Sequence, residues 1–103
     1  MSFSERVWKL MSTIPKGKVT TYRLIAKKLD TKAYRAVGNA CRNNPYAPRV
    51  PCHRVVKSDG TIGGFAGKMS GKTVQKKAEL LRKEGVQVKD GRIVNFERTL
   101  FKF

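Results

Sequence analysis

The stretch TTYRLIAKKLDTKAYRAVGNACRN, at residues 20–43, decides how this chain folds. Thr20 or Thr21 can cap a helix there, because a threonine hydroxyl accepts a hydrogen bond from a free backbone N–H of the first turn. The apolar side chains that follow recur at helical spacing. They are Tyr22, Leu24, Ile25, Ala26 and Leu29. Residues 30–32 then predict a short turn into another helix over roughly residues 33–43.

The second helix of this stretch is small on one side and polar on the other. Its small residues suit close packing against a neighbouring helix, and they are Ala36, Gly38 and Ala40. The side chains left to face outward are Arg35, Asn39 and Arg42. Two short helices joined by a tight turn, the second rich in Arg and Asn, predict a DNA-binding helix-turn-helix. An ordinary helical hairpin is the alternative, and the charge of the chain favours DNA binding.

Two further helices are expected on either side of this stretch. Ser2 and Glu5 can form a capping box for a helix over about residues 3–13. A fourth helix is expected over about residues 72–83, ending at Gly85. Its buried side chains would be Val74, Ala78, Leu80 and Leu81. Residues 44–48 are predicted to be irregular, because they contain two prolines.

The remaining sequence predicts short β pieces and a docked tail. Val19 and Thr20 form an extended piece, and Asp59-Gly60 predicts a hairpin turn between residues 55–57 and 61–62. Residues 86–88 and 92–94 predict a terminal hairpin. We expect the apolar tail to dock on the core through Phe96, Leu100, Phe101 and Phe103. The sequence therefore predicts one domain over residues 1–103, mainly α with short β pieces, of a winged-helix-like helix-turn-helix kind.

The charge of the chain points to a polyanionic partner. There are 23 Lys and Arg against 7 Asp and Glu, for a formal net charge of +16. The acids are too few to pair these cations within the chain, which favours nucleic acid over a merely ion-paired, thermophile-like or ribosome-like surface. No apolar run approaches the ~18 residues of a membrane span. The N-terminus lacks a signal-peptide pattern, so we expect a bacterial or archaeal cytoplasm, or a eukaryotic nucleus.

Cys52 lies next to His53, the only histidine, and this pair suggests nucleophilic chemistry. A free thiol has a pKa of about 8.5, so a neighbouring base or cation is needed to supply thiolate. Adjacent side chains diverge, so we expect His53 to act on Cys52 through a water. A carboxylate should orient the other ring nitrogen, and Glu84 is preferred over Glu79. The alternative for Cys52 is a buried structural cysteine.

The second cysteine, Cys41, lies among small residues of the predicted helix 33–43 and is expected in the core. An intracellular location argues against a disulfide between Cys41 and Cys52. Two cysteines and one histidine also fall short of a four-ligand zinc site, so no metal is expected.

Several motifs together carry a resemblance to a known family. They are IPKGKVTTY at residues 14–22, RAVG at 35–38, NP at 44–45, PCHRV at 51–55, GG at 63–64, LL at 80–81 and EG at 84–85. In this order, over nearly the whole chain, they resemble the DNA-binding, catalytic domain of O6-alkylguanine-DNA alkyltransferases (methylated-DNA–protein-cysteine methyltransferases). The resemblance implies that a damaged guanine is flipped out of the duplex and its O6-alkyl group moves to the cysteine. The protein is then spent, and no cofactor is needed.

The resemblance also implies a role for each site residue. Cys52 is the alkyl acceptor, His53 draws off its proton through a water, and Glu84 supports His53. Tyr22 lies near the flipped nucleotide, helps rotate its phosphate and donates a hydrogen bond to the base.

The resemblance further implies that the protein binds DNA as a monomer and through the minor groove. It also implies that further residues contact the DNA. Arg35 enters the stack in place of the guanine, and Asn44 joins the recognition helix to the active-site strand. Main-chain groups at Cys52 and Val55 read the guanine edge. The other residues expected at the DNA or base are Thr21, Ala36, Arg42, Phe65 and Ala66.

Three departures from the family bear on the function. The resemblance covers only the catalytic domain, so we expect no N-terminal domain of the kind that many members carry, and the basic segment 68–76 is longer than in some relatives. Residues 63–67 form a glycine-rich loop that we expect to act as a lid over a planar ligand. This lid carries Phe65 and Ala66, where other members often have a Tyr-Ser pair. The length resembles that of the alkyltransferase-like proteins, which bind alkylated DNA without repairing it and carry Trp or Ala in place of the cysteine. Cys52 favours the enzyme; a lesion-binding protein and a general DNA-binding protein with a structural cysteine are the alternatives.

Overall fold

A computed structural model describes residues 1–47, 49–62 and 71–103, with the side chains of 71–73 excluded. The helices are α1 (Phe3–Met11), α2 (Tyr22–Lys28), α3 (Tyr34–Arg42), α4 (Gly71–Lys83) and α5 (Phe96–Thr99), with a 3₁₀ turn at Cys52–Arg54. The strands are β1 (Thr20–Thr21), β2 (Val55–Val56), β3 (Val88–Lys89) and β4 (Arg92–Ile93). Within these ranges no helix is long and apolar enough to cross a membrane. The expected class, mainly α with short β pieces, is confirmed.

The predicted helix caps are present. Ser2 Oγ accepts a hydrogen bond from the Glu5 N–H at 3.1 Å, and Glu5 Oε1 accepts one from the Ser2 N–H at 3.2 Å. Thr21 caps α2, because its hydroxyl oxygen accepts a hydrogen bond from the Leu24 N–H at 3.1 Å. The predicted stop of α4 is also present, because Gly85, just after the helix, adopts a φ of +88°, in the left-handed region that ends a helix.

Helices α2 and α3 form the predicted helix-turn-helix, and α3 also packs against α1. Arg35, Asn39 and Arg42 are exposed along α3, as expected from the sequence. The packing expectation was right for Ala40, which is 2% exposed. It was wrong for Gly38, because a Cβ added there would meet nothing within 4 Å. The recognition helix therefore buries one narrow side and leaves its cationic side free.

The pairing of β2 corrects the predicted hairpin. The turn at Asp59-Gly60 does form, with the Lys57 N–H donating to the Thr61 carbonyl at 2.9 Å. However, β2 pairs in parallel with β1, in the register Thr20 to Val55 and Thr21 to Val56. Both valines of β2 are fully buried, which is typical of strands covered on both faces. This parallel pair brings the start of α2 beside the segment that carries Cys52.

The terminal hairpin is confirmed, with β3 and β4 antiparallel and each shorter than predicted. The tail also docks as expected. Phe101 and Phe103 pack against the core beneath α1, α2 and α3, whereas Phe96, in a short helix that the sequence did not predict, packs against a second core under α4. Leu100 forms a β-bridge to Val19. The two cores thus hold the Cys52 segment between α3 and α4.

Candidate functional site

Cys52 begins the 3₁₀ turn and lies in the core beneath α1, α2 and α3, with 9% of its surface exposed. Burial raises the pKa of the Cys52 thiol, while the Asn44 amide and the Lys77 ammonium act in the opposite direction. The thiol is therefore buried but has polar neighbours. Cys41 is buried among apolar residues, and burial raises the pKa of its thiol to about 12. Both thiols are free.

His53 and Glu84 are in direct contact, with Nε2 3.1 Å from Oε1. Arg54 holds the same carboxylate, donating from Nε to Oε1 at 2.9 Å and from Nη2 to Oε2. Arg54 Nη1 also donates to the Ile14 carbonyl at 2.8 Å, which ties the 3₁₀ turn to the segment that follows α1. Although burial raises the pKa of Glu84, hydrogen bonds from Arg54 and His53 outweigh it and lower that pKa. Glu84 is therefore a carboxylate at neutral pH.

The protonation of His53 follows from this contact. A carboxylate only accepts, so Nε2 carries the hydrogen that it donates to Glu84. Burial lowers the pKa of His53 more than Glu84 raises it, so the ring is neutral at neutral pH. Nδ1 is then an acceptor, and it is buried with no hydrogen-bond partner among the described residues. His53 thus provides the site with a buried acceptor nitrogen.

His53 and Cys52 follow each other in a 3₁₀ turn, where successive side chains are about 120° apart. In the described part of the chain no side-chain hydrogen bond joins the two. The expected bridging water stays a prediction.

Lys77 is a site residue that the sequence reasoning missed. It lies on α4, is 1% exposed, and donates from Nζ to the Val55 carbonyl at 2.7 Å. Burial lowers the pKa of Lys77 to about 8, against the opposing effect of Cys52 and Cys41. Glu84 directly follows α4 and comes seven residues, or two helical turns, after Lys77, a spacing that places both on the same side. That spacing is the signal that could have identified it.

Tyr22 is the first residue of α2 and is partly buried. Burial raises the pKa of its phenol, and electrostatic repulsion from Cys41 and Cys52 adds to the rise. The phenol therefore stays protonated and can donate a hydrogen bond. Tyr22 packs against the core that contains both Cys41 and Cys52.

The backbone leading to and from Cys52 is fixed by local hydrogen bonds. Asn44 Nδ2 donates to the Val50 carbonyl at 2.7 Å, and Asn44 Oδ1 accepts from the Tyr46 N–H at 2.9 Å. The Val55 N–H donates to the Cys52 carbonyl, and the Val55 carbonyl accepts from Lys77. A guanine read at Val55 would therefore use the second lone pair of that carbonyl.

The residues expected to bind DNA differ in exposure. Arg35 and Arg42 are exposed on α3, and Ala36 is half-buried between them. Thr21 is only 4% exposed and its hydroxyl caps α2, so it positions that helix and is a poor candidate for direct DNA contact. The predicted lid, with Phe65 and Ala66, lies outside the described residues.

An open groove of about 460 Å³ lies between the starts of α2 and α3 and the residues after β2. Its lining comprises two phenols, two cations and a hydroxyl, from Tyr22, Tyr34, Arg23, Lys57 and Ser58. Tyr22 also packs against the core that contains Cys52, so the groove and the thiol border the same residue. It gives the site an open, cationic approach.

Residues 2–86 match the family described as "6-O-methylguanine DNA methyltransferase, DNA binding domain". The chain belongs to this family. The match covers the helix-turn-helix, Cys52, His53 and Glu84, and it confirms the resemblance drawn from the sequence motifs.

Curated relatives share the same part of the chain. The "Bifunctional transcriptional activator/DNA repair enzyme Ada" of Escherichia coli is 42% identical over 84 residues, which is 81% of this chain and 22% of that protein. The "Methylated-DNA--protein-cysteine methyltransferase" of Shigella flexneri is 46% identical over 84 residues, 81% of this chain and 46% of that protein. The chain therefore spans less than half the length of these relatives.

Solved structures with the same fold include complexes with DNA. S. pombe Atl1, solved with damaged DNA containing O6-carboxymethylguanine, has a TM-score of 0.83 at 30% identity and covers 98% of this chain and 95% of its own. Mycobacterium tuberculosis OGT, solved with DNA, has a TM-score of 0.72 at 40% identity and covers 82% of this chain and 50% of its own. These likenesses confirm the helix-turn-helix fold class.

Proposed function

We propose that this chain repairs O6-alkylguanine in duplex DNA by moving the alkyl group to Cys52 Sγ, once per molecule and without a cofactor. The observation that carries the proposal is the buried acceptor Nδ1 of His53, on a ring whose Nε2 is held by the Glu84 carboxylate. A structural cysteine needs no such base beside it. The family match supplies the substrate class.

The first step is activation of the thiol. The Cys52 proton passes through a water to His53 Nδ1, while Nε2–H stays bonded to Glu84. The imidazolium that forms is stabilised by this carboxylate, which Arg54 holds in its charged form. Lys77, buried and cationic near the thiol, favours the thiolate further.

The second step is the transfer. The sulfur attacks the alkyl carbon, a C–S bond forms, and the bond between that carbon and guanine O6 breaks. The leaving guanine carries the electron pair and takes up one proton, which offsets the proton lost by Cys52. Tyr22 stays protonated and can donate a hydrogen bond to the leaving base.

The product explains why the protein acts once. A thioether carries no proton to remove and is a poor leaving group, so nothing in the site regenerates Cys52. The second thiol, on Cys41, is held protonated by its pKa of about 12 and is packed in the core. It is therefore unsuited to accept the alkyl group in its place.

The DNA is held by the cationic side of α3. Arg35 and Arg42 are exposed there, and the net charge of +16 favours a polyanion. Extruding a base costs a few kcal/mol, and Arg35 entering the stack offsets part of this. The M. tuberculosis and S. pombe relatives solved with DNA support this partner.

A second candidate function is lesion binding without transfer. It is favoured by the likeness to S. pombe Atl1, which extends over nearly the whole of both chains. The presence of Cys52 beside a base and a buried cation favours transfer instead. A general DNA-binding protein with a structural cysteine is the third possibility.

Incubation with duplex DNA labelled in the alkyl group of O6-methylguanine tests these functions. We expect one label per protein, located on Cys52, with none in Cys52→Ala. Cys41→Ala is the matched control, because it also removes a buried thiol from the same core, and it should still take up label. Tight lesion binding without label on reduced protein would establish the second candidate. Equal binding to alkylated and plain duplexes would establish the third.

A further inference from the structure

We infer that Tyr34 forms a second aromatic wall for the extruded nucleotide, facing Tyr22 across the groove between α2 and α3. This inference rests on the proposed function and deepens it, because it assigns a residue that selects the lesion. Tyr34 is the first residue of α3 and directly precedes Arg35. Because Arg35 is proposed to enter the stack in place of the guanine, we expect the Tyr34 side chain to lie near the position that the base leaves.

Tyr34 is an exposed aromatic residue at the start of α3. Its side chain is 45% exposed, and no hydrogen bond of its hydroxyl is found within residues 1–47, 49–62 and 71–103. Nor does it belong to either core of the described structure. It lines the same groove as Tyr22, which packs against the core that contains Cys52. An exposed aromatic side chain thus lines the groove beside a residue that packs on the Cys52 core.

The other side chains of the groove match a nucleotide. Arg23 and Lys57 are exposed cations and Ser58 provides a hydroxyl, while none of the described lining residues is acidic. Aromatic faces take the planar base, and cations take the phosphates on either side of the sugar. This groove combines aromatic faces with cations, and one of its residues, Tyr22, packs on the core that contains Cys52. Its chemistry therefore fits a nucleotide that has left the duplex.

Tyr34 is expected to contact the extruded nucleotide and not the stacked duplex. Plain duplex keeps its bases stacked and leaves the groove empty, so Tyr34 contributes only to lesion binding. Tyr34→Ala would remove the stacking between the base and the aromatic ring. We expect the affinity for the lesion duplex to fall by about five- to thirtyfold, in the lower part of the usual range because Tyr34 is half exposed.

The test measures duplex affinity by fluorescence anisotropy in a Cys52→Ala background, where no transfer can occur. The two probes are short duplexes that differ only in O6-methylguanine or guanine at one position. Tyr34→Ala should weaken binding of the lesion duplex by about five- to thirtyfold and change plain-duplex binding less than twofold. Tyr34→Phe keeps the ring and should retain the lesion preference.

Tyr46→Ala is the matched control. Tyr46 is 54% exposed and makes an edge contact with Trp8, away from the groove lining. It should leave the lesion preference unchanged. Circular dichroism and the thermal midpoint verify that all variants fold.

The outcomes separate the two proposals. If the protein with Cys52 intact takes up label but Tyr34→Ala keeps the lesion preference, the inference on Tyr34 is overturned and the proposed function stands. Equal losses on both duplexes would reduce Tyr34 to a surface DNA contact and overturn it as well. If the protein neither takes up label nor prefers the lesion, the proposed function itself fails.

Discussion

Glu84 Oε1 lies 3.1 Å from His53 Nε2 and also accepts a hydrogen bond from Arg54 Nε at 2.9 Å. The carboxylate is thereby held charged and fixes the ring so that Nδ1 is left as a buried acceptor. One acid at the end of α4 thus sets the tautomer of the residue next to Cys52. The chemistry of the site depends on this long-range contact.

Glu84→Gln should slow alkyl transfer by roughly one to two orders of magnitude, because the neutral amide stabilises the imidazolium less. Arg54 would lose its charged partner, so thermal stability should fall too. Single-turnover transfer from O6-methylguanine duplex measures the first effect. Glu79→Gln is the matched control, since Glu79 is exposed on the same helix and should react as the parent does. Equal slowing in both variants would contradict the role of Glu84.

The transfer rate should depend on the protonation of His53. Burial lowers the pKa of His53 below its ordinary value of about 6.5. The rate should therefore be independent of pH near neutrality and fall as the pH drops through that lowered pKa. In His53→Ala the thiol, whose pKa burial raises, must ionise unaided. The profile should then be slower and shifted to higher pH; an unchanged profile would remove His53 from the activation step.

The same groups predict the pH dependence of stability. The unfolded chain binds a proton at His53 near pH 6.5, whereas the folded chain resists it, so stability should be lost as the pH falls below about 6.5. Glu84, whose pKa is lowered by folding, adds a loss in the same direction below its ordinary value of about 4.3. Urea midpoints at several pH values between neutral and acid measure this. A higher midpoint in acid would be inconsistent with both shifts.

Lys77→Met should raise the pKa of the Cys52 thiol and slow transfer several-fold at neutral pH, because a buried cation is removed from its surroundings. Since the pKa of Lys77 is about 8, the difference between parent and variant should shrink above that pH. Thiol titration by absorbance at alkaline pH and the rate profile give the two measurements. Lys76→Met is the matched control, as Lys76 is exposed beside it. Identical profiles in both variants would show that Lys77 serves the fold alone.

Arg35→Ala should impair repair more than it weakens plain-duplex binding. Arg35 is proposed to fill the space left by the guanine, whereas Arg42, exposed later on α3, contributes charge. Arg42→Ala should weaken binding to both duplexes about equally. It should also reduce the slope of log affinity against log salt concentration by about one. Transfer rates and salt titrations on the two duplexes compare the variants. The same pattern in both would argue against intercalation by Arg35.

Local signals in the sequence predicted much of the fold. The capping box at Ser2, the cap at Thr21 and the stop at Gly85 depend on residues within a few positions of each other, and each is present. The partner of β2 was predicted wrongly, because turn residues at 59–60 announce a turn but do not say which strand pairs beyond it. Likewise, Gly38 was judged by its size, although the structure leaves space around it.

The sequence by itself determined the helix-turn-helix, the cationic face of α3 and the Cys52-His53 pair, because these depend on periodicity, composition and adjacency. Only the tertiary structure decided which strand pairs with β2, that Lys77 is buried, and that Arg54 and His53 share one carboxylate. Lysine is almost always exposed, so its burial against Val55 comes from packing that no local pattern records. The reactive environment of Cys52 is built by residues distant in sequence, and folding is what brings them together.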